Sequence, residues 1–176
     1  MRVISAGDID DRLGPEGELA SLRTEYPSLD AYLNRALAVN HDYNIPYGAG
    51  ISEDGQTVYI DSRLDTMVNG VDCAQALATH ETTEWALREF CGIGLDYAAD
   101  PRGHRLANRA EYEKVNELLG NPGSGDDEAT WEAYDDALDP QIRRIEHAEI
   151  GIAPADLALY PYEGTAILER LREAMS

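Results

Sequence analysis

Residues 80–84 place a histidine and two glutamates at a spacing that suits metal chemistry. The segment is His-Glu-Thr-Thr-Glu, and it lies in a run whose apolar residues recur at helical intervals. On a helix, His80 and Glu84 share one face with the apolar side chains of Leu77 and Leu87. A buried carboxylate without a partner is costly, and the imidazole beside it also needs a polar contact. The pattern therefore predicts that both side chains hold a divalent cation.

A second helical face further along the chain carries the same two residue types. His104 and Glu111 share it with apolar side chains such as Ala107 and Val115. Because the connector between the two helices is short, the helices are expected to pack antiparallel and to meet in one layer. This predicts a metal site with four candidate ligands, which are His80, Glu84, His104 and Glu111. Imidazole and carboxylate ligands together suit Zn²⁺ first, with iron, manganese and nickel as alternatives.

Glu81 has a different expected role, because it lies about 100° around the helix from His80. It need not bind the same ion, but it flanks the site closely enough to take a proton from a water molecule on the metal. Zinc lowers the pKa of such a water to about 7, and a neighbouring carboxylate completes the activation. The sequence therefore predicts Glu81 as the general base of a hydrolytic reaction.

The segment resembles the active-site helix of zincin-type metallopeptidases, whose signature is H-E-x-x-H with a third ligand on a later helix. By position, the resemblance implies that His80 is the first ligand and Glu81 the general base. Glu84 stands where the signature has its second histidine, and His104 would be the third ligand. Two histidines and one carboxylate equal the ligand set of the thermolysin type, in a different order.

The resemblance covers roughly residues 46–119 and has two further implications. Glu111 is either an alternative ligand or the acceptor for an imidazole N–H group. In zincins an edge strand before the active-site helix pairs with an extended peptide substrate, and residues 56–61 precede the helix here. The resemblance thus implies a zincin-like fold in which this strand binds substrate.

The elements that must position these side chains indicate an α+β fold, mainly helical with a small antiparallel β-hairpin. Asp54-Gly55 is a strong turn signal between two extended runs and predicts a hairpin over residues 46–61. Before it, apolar residues at helical spacing predict a helix over residues 28–40, with Ser28 as its N-cap.

Four further helices are predicted after the hairpin. They cover residues 72–90, residues 100–120, residues 130–150 with an interruption or kink at Pro140, and residues 163–174. The chain of 176 residues suits one domain. Within this single domain, 1–176, the metal-site core spans about 46–119 and a C-terminal helical segment spans about 126–176.

The composition restricts the class of partner. The chain has 34 acidic and 14 basic residues, for a net charge of −20. Such a surface repels nucleic acid and anionic membranes, so neither partner is expected, whereas a basic protein partner is compatible with it. No apolar run is long enough to span a membrane. The first residues do not resemble a secretory signal, and the expected location is therefore the cytoplasm, with Cys73 and Cys91 as free thiols.

Other metal-site classes fit the histidines less well. A four-helix di-iron protein needs Glu-x-x-His twice, but none of the four histidines has a glutamate three residues before it. His41-Asp42 resembles the metal-binding pair of HD-type phosphohydrolases, but no histidine precedes it to supply their upstream ligand. These observations favour the site around His80.

Two functions follow from the sequence, and they belong to different classes. The first is a zinc-dependent metallohydrolase, peptidase-like, that acts on a peptide or protein substrate with Glu81 as general base. The second is a non-catalytic acidic interaction or assembly protein, for example a nucleic-acid mimic, with a degenerate or structural metal site. The motif favours the first function, whereas the charge and the replacement of the second histidine by Glu84 favour the second.

Overall fold

A computed structural model gives the fold, in which helices predominate over two small sheets. It describes residues 13–36, 38–45, 48–95, 100–120 and 127–146. The helices in these ranges are α1 (Glu18–Glu25), α2 (Pro27–Leu33), α3 (Ala74–Cys91), α4 (Arg102–Leu119) and α5 (Asp127–Glu146). The strands are β1 (Ala38–Asn40), β2 (Ala49–Ile51), β3 (Thr57–Ile60), β4 (Met67–Val68) and β5 (Val71–Asp72). The α+β class is confirmed.

Helix α3 carries the motif and agrees with the prediction within two residues at either end. At its start, the Asp72 carboxylate accepts a hydrogen bond of 2.9 Å from the Ala74 N–H group, which would otherwise lack a helical partner. At its end, Gly92 adopts a left-handed conformation, with φ of 65°. The N–H groups of Gly92 and Ile93 donate to the carbonyls of Arg88 and Leu87, as in a Schellman motif.

Helix α4 packs against α3 in the antiparallel direction that the short connector predicted. His80 of α3 contacts Glu111 in the middle of α4, whereas Glu84, later in α3, contacts His104 near the start of α4, so the two helices run in opposite senses. Small buried residues of α4, such as Gly103 and Ala107, face inward and allow close approach. The two candidate helices therefore meet as expected.

The three-stranded sheet contains the predicted hairpin but is mixed. β2 and β3 pair antiparallel, whereas β1 pairs parallel with β3, giving the order β1-β3-β2. The predicted helix over residues 28–40 is wrong in its second half, because α2 ends at Leu33 and Ala38–Asn40 forms β1. The Arg35 guanidinium donates to the Gly55 carbonyl and to Gln56, which holds the turn after α2 beside the hairpin. Hydrogen bonding to the open edge of β3 thus overrides the local helical periodicity.

The sheet order also corrects the expected substrate strand. The predicted edge strand, residues 56–61, contains β3, which lies at the centre of the sheet between β1 and β2. The edge strand closer to the motif is β2, because Ala49 and Gly50 line the same cavity as His80.

Gly55 in the hairpin turn makes a close contact with α3. It has φ of +66°, and a Cβ atom added there would lie 2.6 Å from the Trp85 ring. We expect Gly55→Ala to lower the free energy of unfolding by about 2–3 kcal/mol, since both backbone strain and overpacking oppose the methyl group. Urea denaturation followed by tryptophan fluorescence measures this loss.

Gly70 provides a matched control for that substitution. Its φ is +81°, but nothing lies within 4 Å of a Cβ atom added there. Gly70→Ala therefore incurs backbone strain alone, about 1 kcal/mol. Equal losses for the two variants would contradict the close contact between Gly55 and Trp85.

Helix α5 continues through Pro140 without the interruption that the sequence predicted as one outcome. A proline inside a helix removes one backbone hydrogen bond. Packing of α5 on the core, through residues such as Trp131 and Leu138, stabilises the helix despite this loss. The predicted helix over residues 163–174 lies outside the described residues. In the described ranges no helix is both long and apolar enough to cross a bilayer. Cys73 and Cys91 are free thiols, as expected.

Candidate metal centre

A cavity of about 510 Å³ opens beside α3, and its walls also include residues of α4, α5 and β2. The five residues predicted for the site all line it: His80, Glu81, Glu84, His104 and Glu111. Side chains separated by up to thirty-one positions in sequence are thus brought together. The antiparallel packing of α3 and α4 explains this convergence, because it aligns the two predicted helical faces.

Three of these side chains form a compact group of potential ligands. Oε2 of Glu84 lies 3.2 Å from Nε2 of His80 and 3.3 Å from Nδ1 of His104. One potential ligand atom from each residue lies within 4.8 Å of the other two. Tetrahedral zinc with nitrogen and oxygen ligands separates its ligand atoms by about 3.4 Å. The donor types and their spacing therefore fit a divalent ion such as zinc.

Glu111 lies behind His80 rather than in this group. Its Oε2 atom is 2.8 Å from Nδ1 of His80, while Nε2 of the same ring faces Glu84. Its other oxygen, Oε1, accepts a hydrogen bond from the buried hydroxyl of Tyr134 in α5. A carboxylate that holds the far nitrogen of a ligand histidine fixes its orientation and its tautomer. The geometry thus favours the second of the two roles predicted for Glu111.

Tyr134 is the part of the site that sequence reasoning missed. It is 3 % exposed, and its ring packs at 5.4 Å between centroids from Trp131. An aromatic residue on the inner face of a helix predicts only a place in the core. Nothing in the spacing of α5 indicates that its hydroxyl reaches a carboxylate of α4.

The charges of the group compensate one another inside the wall of the cavity. Burial lowers the pKa of His80, but the carboxylates of Glu111 and Glu84 outweigh it and hold this pKa well above its usual value. Burial likewise raises the pKa of Glu84, but hydrogen bonds from His104 and His80 outweigh it and hold that pKa below its usual value. A metal ion that binds to His80 competes with the proton that its raised pKa favours.

Glu81 is in a different electrostatic position from its neighbour Glu84. Burial is the main cause that raises the pKa of Glu81 to about 7. Two carboxylates whose environments separate their pKa values are suited to different roles, the lower as an anionic ligand and the higher in proton transfer. A carboxylate with a pKa near neutrality accepts and returns protons efficiently at physiological pH.

The two residues between the glutamates explain why the motif fits a buried helix. Thr82 and Thr83 are almost fully buried on the side of α3 away from the ligands. The Thr82 hydroxyl donates a hydrogen bond of 2.8 Å to the Ala78 carbonyl within the helix. The Thr82 hydroxyl is thus satisfied within the helix, while His80 and Glu84 face the cavity.

Comparison with known proteins does not assign the chain to a protein family. No protein family, no curated protein and no solved structure matches it. Function must therefore be inferred from the side chains that line the cavity.

Proposed function

We propose that the protein is a metal-dependent hydrolase of amide or peptide bonds, with a zinc ion held by His80, Glu84 and His104. The observation that supports this most strongly is the convergence of three ligand atoms within 4.8 Å. They lie in the wall of a cavity that Glu81 also lines. Catalytic zinc sites use three protein ligands of these types and leave further coordination open.

Each side chain of the site has a defined part in this proposal. A bound zinc ion would supply a Lewis acid that polarises a carbonyl group and makes water more acidic. Glu81 accepts the proton of the attacking water and returns it to the leaving amine. Glu111 holds the Nδ1 atom of His80, at 2.8 Å, and so directs Nε2 of that ring towards the ligand group.

The position of β2 supports a peptide as the substrate. β2 is an edge strand of the three-stranded sheet as far as the structure describes the chain. Its residues Ala49 and Gly50 line the cavity that contains the ligand group. An extended peptide can add to such an edge through backbone hydrogen bonds. This arrangement, together with the motif, supports a zincin-like enzyme in which β2 takes the part expected of the second hairpin strand.

The first experiment is a measurement of metal content and metal-dependent hydrolysis. Elemental analysis of the purified protein, followed by titration of the chelator-treated protein with zinc, should give one ion per chain. The loaded protein should cleave members of a pool of fluorogenic peptides, and a chelator should stop cleavage. A protein that binds none of zinc, iron, manganese or nickel would contradict the proposal.

Substitution of Glu111 distinguishes its two expected roles, which are metal ligand and hydrogen-bond acceptor for the His80 imidazole. As the acceptor for His80 and Tyr134, Glu111 should affect zinc only indirectly. Replacing such a partner commonly costs 10–100-fold in metal affinity, so we expect a loss of about ten- to hundred-fold for Glu111→Gln. Competition with a zinc-responsive dye measures the affinity. A loss as large as that of removing His80 itself would instead make Glu111 a ligand.

A further inference from the structure

Arg88 stands out among the residues of the cavity wall. It is the only lysine or arginine that lines the cavity in the part of the chain that the structure describes. It lies on α3, four residues after Glu84 and seven after Glu81, so the three side chains follow one face of the helix. It is half-buried, and its charge is near enough to act on Glu81. A cation is thus placed one helical turn beyond the proposed metal ligands.

Three of the four carboxylates that line the cavity in the described residues have partners, and the fourth, Glu81, is the one on which the charge of Arg88 acts. Glu84 contacts two histidines, and Glu111 contacts a histidine and a tyrosine. Asp139 of α5, which also lines the cavity, forms an ion pair of 2.7 Å with Arg143. A guanidinium carries five N–H donors, so Arg88 can bind a carboxylate of a ligand beside the contacts it already makes.

The spacing along α3 gives the length of such a ligand. Four residues of helix correspond to a rise of about 6 Å. A ligand carbonyl near Glu84 and a carboxylate near Arg88 are therefore separated by only a few bonds. We infer that the cavity takes amide substrates that carry a free carboxylate a few bonds from the bond to be cleaved, with Arg88 binding that carboxylate.

This inference rests on the proposed function and has a clear rival. The protein has a net charge of −20, which in itself favours a cationic ligand. Long-range attraction of this kind is screened within about 8 Å at physiological salt, whereas a paired guanidinium and carboxylate are in contact. We therefore expect the contact between Arg88 and a carboxylate to outweigh the net charge of the protein, so that the cavity binds a ligand with a carboxylate end group more tightly than one with an ammonium end group.

Three small hydroxamates with the same two-carbon spacer distinguish a preference for a carboxylate from a preference for a cation. Succinic acid monohydroxamate ends in a carboxylate, its carboxamide analogue is neutral, and β-alanine hydroxamate ends in an ammonium group. Isothermal titration calorimetry with the zinc-loaded protein gives their affinities without any need for a substrate. We expect the carboxylate probe to bind about ten-fold more tightly than the carboxamide. Arg88→Gln should remove this preference, while Arg88→Lys keeps part of it.

Arg144→Gln is the matched control, because it removes the same charge from an exposed position of α5 outside the cavity lining. It should leave the preference unchanged. Equal binding of the three probes, or tighter binding of the ammonium probe, would overturn the inference alone. No binding of any probe to zinc-loaded protein would contradict the open coordination position of the proposed function, and the inference with it. A protein that takes up no metal would overturn the proposed function, and the inference with it.

Discussion

Replacing His80 by alanine should abolish stoichiometric zinc binding, with a loss of affinity of about a thousand-fold or more. His80 supplies one of three proposed ligand atoms, and its removal costs more than the 10–100-fold typical of residues behind a ligand. Its Nε2 atom lies 3.2 Å from the Glu84 carboxylate, and His80 is one of the three residues whose ligand atoms lie within 4.8 Å of one another. Zinc titration of the purified variant measures the change.

The variant must remain folded for that result to be informative. Loss of the imidazole leaves the buried carboxylate of Glu111 with Tyr134 as its remaining partner, at a cost of about 1–3 kcal/mol. Circular dichroism and urea denaturation show whether this has unfolded the protein. His41→Ala, at an exposed histidine outside the cavity lining, is the control and should leave zinc affinity unchanged. A folded His80→Ala protein that binds zinc within ten-fold of the original affinity would refute the proposed centre.

Replacing Glu81 by glutamine should separate catalysis from metal binding. The amide cannot accept a proton, and loss of a general base typically reduces the rate by 10²–10⁴-fold. Because Glu81 is not in the group of three ligand atoms, zinc affinity should stay within a few-fold of the original. The expected result is a protein with one zinc per chain and almost no cleavage of the peptides that the original protein cleaves.

Glu89→Gln is the control for this change, since it removes the same charge from an exposed position of the same helix. It should retain full activity. Undiminished cleavage by Glu81→Gln would exclude Glu81 as the base. Loss of zinc from the same variant would instead show that Glu81 is a ligand.

The convergence of the candidate ligands could be predicted because it depends mainly on residue spacing within each of two helices. Helical periodicity alone places His80 and Glu84 on one face of α3, and His104 and Glu111 on one face of α4. A short connector then makes antiparallel packing the simplest arrangement, and the hydrogen bonds between the helices agree with it. The different pKa values of Glu81 and Glu84 depend on burial and on the hydrogen bonds that His80 and His104 make with Glu84, and helical periodicity does not give these.

The remaining features depend on contacts between distant segments. Ala38–Asn40 carries a helical pattern, but it becomes a strand because β3 offers an unpaired edge for parallel pairing. That pairing moves β3 to the centre of the sheet, so the edge strand beside the cavity is β2. The hydrogen bond from Tyr134 to Glu111 likewise joins α5 to α4, and the residue periodicity within either helix does not predict it.

The hydrogen bond of Tyr134 to Glu111 connects the last described helix to His80. Any ligand that binds only the folded protein adds to its stability, by about 2.7 kcal/mol when its concentration is a hundred times its Kd. A metal ion bound to His80 would thus also stabilise the packing of α5, because Glu111 contacts both His80 and Tyr134 of α5. This holds although α5 provides none of the three proposed ligand atoms. Metal binding at the centre and packing of α5 against the rest of the protein would then be thermodynamically coupled.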